Sequence, residues 1–241
     1  MRVSRILLTL TLAVVPAAAI LADDGDKKQE PAKDDEGKTL EKKLHVPSGW
    51  NAEKHTVDVT YDFSNRNQKK DWKCDGFDNV ICADEAKENA AGLQLAVGNG
   101  VKGIAMLEPI EFAGDYTIEM TGKQNYKQSG AQVVFLFGAR NGDSFGARYG
   151  DQFVKLKKGG NISAVTKNDP SEESFNNGRE VKWKIVRTGD ELELTLNGDT
   201  KGKRTFGKKE LDGKVGIYIQ QQCRFLLTSV HATGVIAKVK P

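Results

Sequence analysis

Past Trp50 the chain settles into a two-residue rhythm. Val57, Val59, Tyr61 and Phe63 alternate with Thr56, Asp58, Thr60 and Asp62, the pattern of a strand with one face buried and one wet. Leu93, Leu95 and Val97 repeat it, as do Tyr116, Ile118 and Met120 after Gly114 and Asp115. Later, Val181, Trp183 and Ile185 alternate with Lys182 and Lys184, and Leu192, Leu194 and Leu196 with Glu191, Glu193 and Thr195. Strands with one solvated face pair antiparallel. Turn residues punctuate them at Gly98 to Gly100, Asn141-Gly142, Gly150-Asp151, Gly159-Gly160, Gly189-Asp190 and Asn197-Gly198, where Asn-Gly and Gly-Asp steps supply the positive φ of tight hairpins. The one helix-like stretch is Asp84 to Ala91. Roughly a dozen short strands at regular spacing predict an all-β fold, a two-sheet antiparallel β-sandwich or jelly roll. The absence of a fixed-length repeat argues against a propeller.

The front of the chain follows other rules. Arg2 and Arg5 precede the apolar run Ile6 to Val15, then Pro16 and the small residues Ala17 to Ala19, with Ala22 before the expected cut. Residues 1–22 therefore read as a secretory signal peptide, the apolar run being too short for a membrane-spanning helix. Asp23 to Lys43 holds eight acids and six lysines with almost no large apolar side chains, a composition that buries too little surface to offset ordering. The expectation is a charged flexible linker over 23–50 and a sandwich domain over 51–241. No second long apolar run follows, so no transmembrane segment is expected after cleavage, and the product is expected to be secreted or periplasmic.

The whole chain has 241 residues, 36 Lys and Arg against 33 Asp and Glu, for a net charge of +3. Removal of Arg2 and Arg5 with the leader leaves 34 basic against 33 acidic residues, or +1. A dedicated nucleic-acid binder needs a clear basic excess, so none is expected as partner. Composition also excludes a collagen, a coiled coil and a polytopic membrane protein.

Export bears on the cysteines. Cys74 and Cys82 are near enough in sequence to close a small disulfide loop in an oxidising compartment, although spacing alone does not supply the geometry. Cys223 lies in an alternating apolar stretch with Ile217, Ile219 and Phe225, which favours a buried inert thiol over a nucleophile. His45, His55 and His231 are scattered, and no Cys/His spacing forms a zinc site.

The closing segments Trp183 to Gly198 (WKIVRTGDELELTLNG) and Gly213 to Gly234 (GKVGIYIQQQCRFLLTSVHATG), with Gly114 to Met120 (GDYTIEM) and Asp71-Trp72, resemble a concanavalin A-like, laminin G-type jelly roll. Within that superfamily they are similar to the secreted bacterial domain named for 3-keto-disaccharide hydrolysis, over about residues 55 to 236. The resemblance implies a jelly roll and, for activity, a hydrolase of keto-sugars or glycosides. Its motifs are turns and core positions, which speak to fold rather than chemistry.

Retaining glucanases of the superfamily resemble one another in a strand bearing Glu-x-Asp-x-x-Glu, whose alternation aims nucleophile and acid into one cleft. That motif is absent here. Glu108, Glu111, Asp115 and Glu119 are spaced differently and interrupted by Pro109 and Gly114; with Glu191 and Glu193 they read as solvated carboxylates. No nucleophile elbow or phosphate-cradling glycine loop occurs, so catalytic residues stay unassigned.

The more informative stretch is Gln132 to Leu156. If Asn141-Gly142-Asp143 is a three-residue loop, Arg140 pairs with Ser144, and Phe135, Phe137, Phe145, Ala147 and Tyr149 share a core face. Arg140 and Arg148 then stand on the opposite face, and a two-residue turn at Gly150-Asp151 adds Phe153 and Lys155 beside them. Tyr218, Gln220, Gln222 and Arg224 likewise lie opposite Ile217, Ile219 and Phe225. Planar donors and rings suit sugar hydroxyls and the C–H face of a pyranose. These eight residues are the expected binding site, with a saccharide or polysaccharide as partner. The competing account is a solvated face whose charges block edge pairing. No organic cofactor is expected, and calcium is the candidate ion, through the turn oxygens of Asn141, Asp143, Asp151, Asn197 and Asp199, all of which turn chemistry also explains. The function expected is a noncatalytic carbohydrate-binding or surface-interaction module, with a keto-sugar or glycoside hydrolase and a structural envelope protein as alternatives.

Overall fold

The computed structural model describes residues 35–82, 92–127, 131–140, 143–148, 153–157, 161–164, 180–207 and 209–239. They form one helix, α1 (Asp35–Lys43), a short 3-10 turn (Arg66–Asp71) and fifteen strands. The first strands are β1 (Thr56–Tyr61), β2 (Trp72–Asp75), β3 (Asn79–Cys82), β4 (Leu93–Val97) and β5 (Lys102–Leu107). The middle of the chain gives β6 (Phe112–Lys127), β7 (Gln132–Arg140), β8 (Asp143–Arg148), β9 (Phe153–Lys157) and β10 (Asn161–Ala164). The last are β11 (Glu180–Thr188), β12 (Glu191–Leu196), β13 (Asp199–Thr205), β14 (Lys214–Gln220) and β15 (Cys223–Ile236).

These make two antiparallel sheets. An eight-stranded sheet runs β13-β12-β11-β6-β15-β4-β3, with β1 also paired to β15, and a seven-stranded sheet runs β10-β9-β8-β7-β14-β5-β2. The expected all-β antiparallel sandwich is the fold observed. Every strand expected from alternation is present, because each apolar set points into one shared interior: Val57, Val59 and Tyr61 from β1, Ile118 and Met120 from β6, Trp183 and Ile185 from β11, and Ile217 and Ile219 from β14 are all at most 1% exposed. Each such side chain contributes about 1.5–3 kcal/mol by leaving water. The Asn197-Gly198 hairpin forms as expected, with φ of 52° and 91°. Asp84 to Ala91, the segment 1–22 and the turns at Asn141-Gly142, Gly150-Asp151 and Gly159-Gly160 lie outside the described residues.

Two expectations are corrected here. The charged segment is not a linker throughout: residues 35–50 dock on the sandwich. Leu40, Leu44 and Val46 are 0%, 7% and 7% exposed within the main core, Leu40 and Leu44 being one helical turn apart. Two histidines fasten this strap. The His45 backbone N–H and ring Nδ1 meet the Asp71 carboxylate at 2.9 and 2.5 Å, and His55 Nε2 meets Glu36 Oε2 at 2.7 Å. Three apolar anchors in a highly charged stretch are too few to shift its mean composition, yet enough to hold it.

The second correction concerns Cys74 and Cys82, which are not joined in a disulfide. Cys74 is on β2 of one sheet and Cys82 on β3 of the other. Stacked sheets stand about 10 Å apart, whereas a disulfide needs Cα atoms within about 4.4–6.8 Å. Cys82 Sγ instead donates to the Phe63 carbonyl at 3.5 Å. Burial, with Asp75 nearby, pushes the Cys74 thiol up to about 11. Cys223 is 2% exposed, the buried thiol its alternation implied.

Candidate functional site

The core face of the seven-stranded sheet is ordinary; its outward face is not. Val134, Leu136 and Tyr218 form a second buried cluster apart from the main core, with Ile104 and Met106 packed at its margin. Register explains the grouping. Tyr218 on β14 is opposite Ile104 on β5 and Val134 on β7, and Val134 is opposite Arg148 on β8, so these positions share a face across four strands. One step along β14, Gln220 stands between Lys102 and Gln132 in the same manner.

That polar row closes the end of the apolar floor. Tyr218 Oη donates to Gln220 Oε1 at 2.7 Å, which fixes the Gln220 amide. Burial pushes the Tyr218 hydroxyl up to about 12, so it remains a proton donor through the whole physiological range. Gln132 Oε1 is buried and accepts no hydrogen bond. A buried acceptor without a donor costs about 1–3 kcal/mol, a cost that a hydroxyl or amide arriving from a ligand would remove. Beyond the row, the Gln221 and Gln222 backbone N–H groups donate to the Val101 and Gly98 carbonyls at 3.0 and 2.8 Å, which fixes the β14–β15 turn against the β4–β5 turn.

The eight expected site residues separate into three groups. Tyr218 and Gln220 are on the outward face as expected, but Tyr218 is 0% exposed and presents no open ring. Arg148 shares that face by register. The other five are displaced. Arg140 pairs with Asp143 instead of Ser144, after a bulge between Phe137 and Arg140. Gly138 makes that bulge with φ +59°, where a Cβ would meet the Glu210 carbonyl at 2.5 Å. The guanidinium consequently stands 3.6 Å from Glu111 and 3.5 Å from Asp212. Phe153 and Lys155 are opposite Ala147 and Phe145, which puts both positions on the Phe135 and Phe137 face; a one-residue slip from the expected register moves every position to the other side. Gln222 occupies the β14–β15 turn with φ 23°, and Arg224, beyond it, belongs to the eight-stranded sheet.

Sequence reasoning missed Gln132 and Lys102. Each alternates with core residues in its own strand, but only the long-range pairing of β7 and β5 with β14 shows that they flank Gln220. The other candidate chemistries are mostly engaged. Glu119 accepts from Lys182 and Lys184 at 2.5 and 3.1 Å, and these cations hold its carboxyl below the usual range. Arg187, 6% exposed, donates to Asp212 at 2.7 Å and covers the Tyr116 ring. Among the calcium candidates, Asn197 Oδ1 accepts from the Lys182 N–H at 2.9 Å, and Asn141 and Asp151 lie outside the described residues. Among the described residues no three His, Cys, Asp or Glu side chains cluster as metal ligands, and no helix is long and apolar enough to cross a membrane.

No protein-family model and no curated protein matches the sequence, so the likeness to the 3-keto-disaccharide hydrolase domain gains no support there. Solved structures do match. A Bacillus subtilis protein of unknown function with a galectin-like fold is similar over 80% of this chain and 99% of its own, with TM-score 0.54 and 10% identity. A structure from endo-acting O-glycanases that human gut bacteria express to initiate mucin breakdown is similar over 72% and 97%, with TM-score 0.53 and 12% identity. Bacillus licheniformis β-glucanase is similar over 73% and 97%, with TM-score 0.50 and 12% identity. The sandwich is a concanavalin-like jelly roll. At such identities the likeness concerns fold.

Proposed function

We propose that the protein is an exported, noncatalytic carbohydrate-binding module whose saccharide lies on the Lys102–Gln220–Gln132 end of the seven-stranded sheet. The observation that carries this reading is the buried, unpartnered Gln132 Oε1 beside the oriented Gln220 amide. Together they offer an acceptor and a donor to adjacent sugar hydroxyls, with Lys102 at one side and the apolar Ile104 margin behind. Sandwiches of this kind that are β-glucanases or come from O-glycanases make a glycan ligand a consistent choice. The sequence likeness to keto-disaccharide hydrolases supports a competing reading in which the same face turns substrate over.

Gln132→Leu separates function from folding. Loss of an unsatisfied buried acceptor should leave the melting temperature unchanged or raised, while retention on the cognate polysaccharide in affinity electrophoresis should fall at least tenfold, as it should for Arg148→Ala with Gln220→Ala. A panel of polysaccharides and keto-disaccharides, assayed for both binding and product release, identifies the ligand. Full retention by the folded Gln132→Leu and Gln220→Ala variants would refute the placement, and product release would refute the noncatalytic reading.

A further inference from the structure

At the opposite end of β5 and β14 the sandwich carries a recess. Its volume is about 530 Å3, within the span of about 300–1,000 Å3 common for small-ligand clefts. Pro109, Ile236 and Val239 give it an apolar floor, and its charged lining is Lys43, Lys70, Lys214 and Lys238 against Glu108 and Glu111. Both glutamates are engaged: Lys214 Nζ meets Glu108 at 2.5 Å, and Arg140 stands 3.6 Å from Glu111. Lys70 and Lys238 are exposed and have no acidic partner among the described residues.

The walls are held by the backbone. The Glu108 N–H donates to the Asp71 carbonyl at 2.8 Å and the Ala237 N–H to the Glu111 carbonyl at 2.7 Å. Lys43 arrives at the end of α1, fixed there by buried Leu40 and by the double contact of His45 with Asp71. The strap thus completes the recess. With Glu108 paired to Lys214 and Glu111 to Arg140, Lys70 and Lys238 add positive charge to the lining that its two acids do not offset, so the field inside favours an anion.

We propose that this recess binds an oxyanion carried on a small ligand: a carboxylate, sulfate ester or phosphate ester set among the Lys43, Lys70 and Lys238 ammonium groups, with the ligand's apolar side on Pro109 and Ile236. The site is separate from the amide row and does not depend on a saccharide binding there. Lysine suits this task as a mobile point charge that accepts several oxyanion geometries.

Isothermal titration of the purified protein with digalacturonate, galactose 6-sulfate, inorganic phosphate and neutral digalactose tests it. The acidic sugars should bind and the neutral one should not, with affinity falling as salt rises from about 20 to 300 mM. Lys70→Glu with Lys238→Glu should weaken binding at least tenfold, Lys70→Gln with Lys238→Gln should weaken it less, and Gln132→Leu with Gln220→Ala should leave it intact. Phosphate binding as tightly as the acidic sugars would assign the affinity to the anion alone and uphold the site. Absence of binding by every anion at millimolar concentration, or affinity indifferent to the charge reversal, would overturn it.

Discussion

On the eight-stranded sheet one outward row runs Thr60, His231, Glu119, Lys184 and Thr195 across five strands; on the seven-stranded sheet the matching row runs Ile104, Tyr218, Val134 and Arg148. The first is hydroxyls and ion pairs, including His231 to Asp58 at 3.0 Å. The second is apolar over most of its length. Exposed ion pairs contribute about 0–1 kcal/mol each, so the eight-stranded sheet owes little to its outer surface. The seven-stranded sheet buries side chains on both faces and ends in a polar row with an unanswered acceptor. A sheet that buries apolar side chains on its outer face as well draws stability from both sides, whereas a salted one repels edge and face association alike.

The sharpest way to break this contrast is to place a carboxylate on each face. Val134→Asp, at 0% exposure, should cost about 3–5 kcal/mol or prevent folding, while Thr60→Asp should stay within about 0.5 kcal/mol in urea unfolding. Similar losses for both would erase the distinction. A second variant addresses the margin where the sheets meet. Asp71 accepts from His45 twice and from Tyr61 Oη at 2.9 Å, joining the strap to β1 of the eight-stranded sheet. Asp71→Ala should cost about 2–4 kcal/mol and expose residues 35–50 to limited proteolysis; an unaltered cleavage pattern would mean that the three apolar anchors and the His55–Glu36 contact hold the strap without Asp71.

The smallest effect belongs to the salted face. Lys182 and Lys184 lower the Glu119 pKa in the folded state, so this carboxylate stabilises the fold above its ordinary value of about 4.3 and ceases to do so as pH falls through the lowered folded value. Glu119→Gln should therefore cost under about 1 kcal/mol at pH 7 and nothing once the wild-type carboxyl is protonated. A cost independent of pH would point to packing instead of charge.

How far the sequence carried these features depends on distance along the chain. Alternation in Val57 to Phe63 or Leu192 to Leu196 is local, and so are the turns around Gly189 and Asn197; both fold class and core were legible from them. The candidate site depends on register. The Gly138 bulge sends Arg140 to Glu111 and Asp212, and a one-residue difference before Phe153 carries it and Lys155 to the inner face. Positive φ at Gln221 and Gln222 makes a turn after which Arg224 enters the other sheet. No residue type marks any of these in advance, since Gln rarely signals a turn and a bulge changes pairing without changing pattern. The strap was hidden differently, its three apolar anchors being outvoted by charged neighbours in a reading based on composition.

One strand has a consequence for how the molecule is made. β15 pairs with β6 on one side and with β4 and β1 on the other, so the centre of its sheet is filled by the strand that comes last in chain order among the described residues. Its partners begin at Thr56 and wait, edges bare, through most of translation. High contact order of this sort slows folding and lengthens the interval in which unpaired edges aggregate. The eight-stranded sheet is therefore most vulnerable in the interval before Cys223 to Ile236 slots into place.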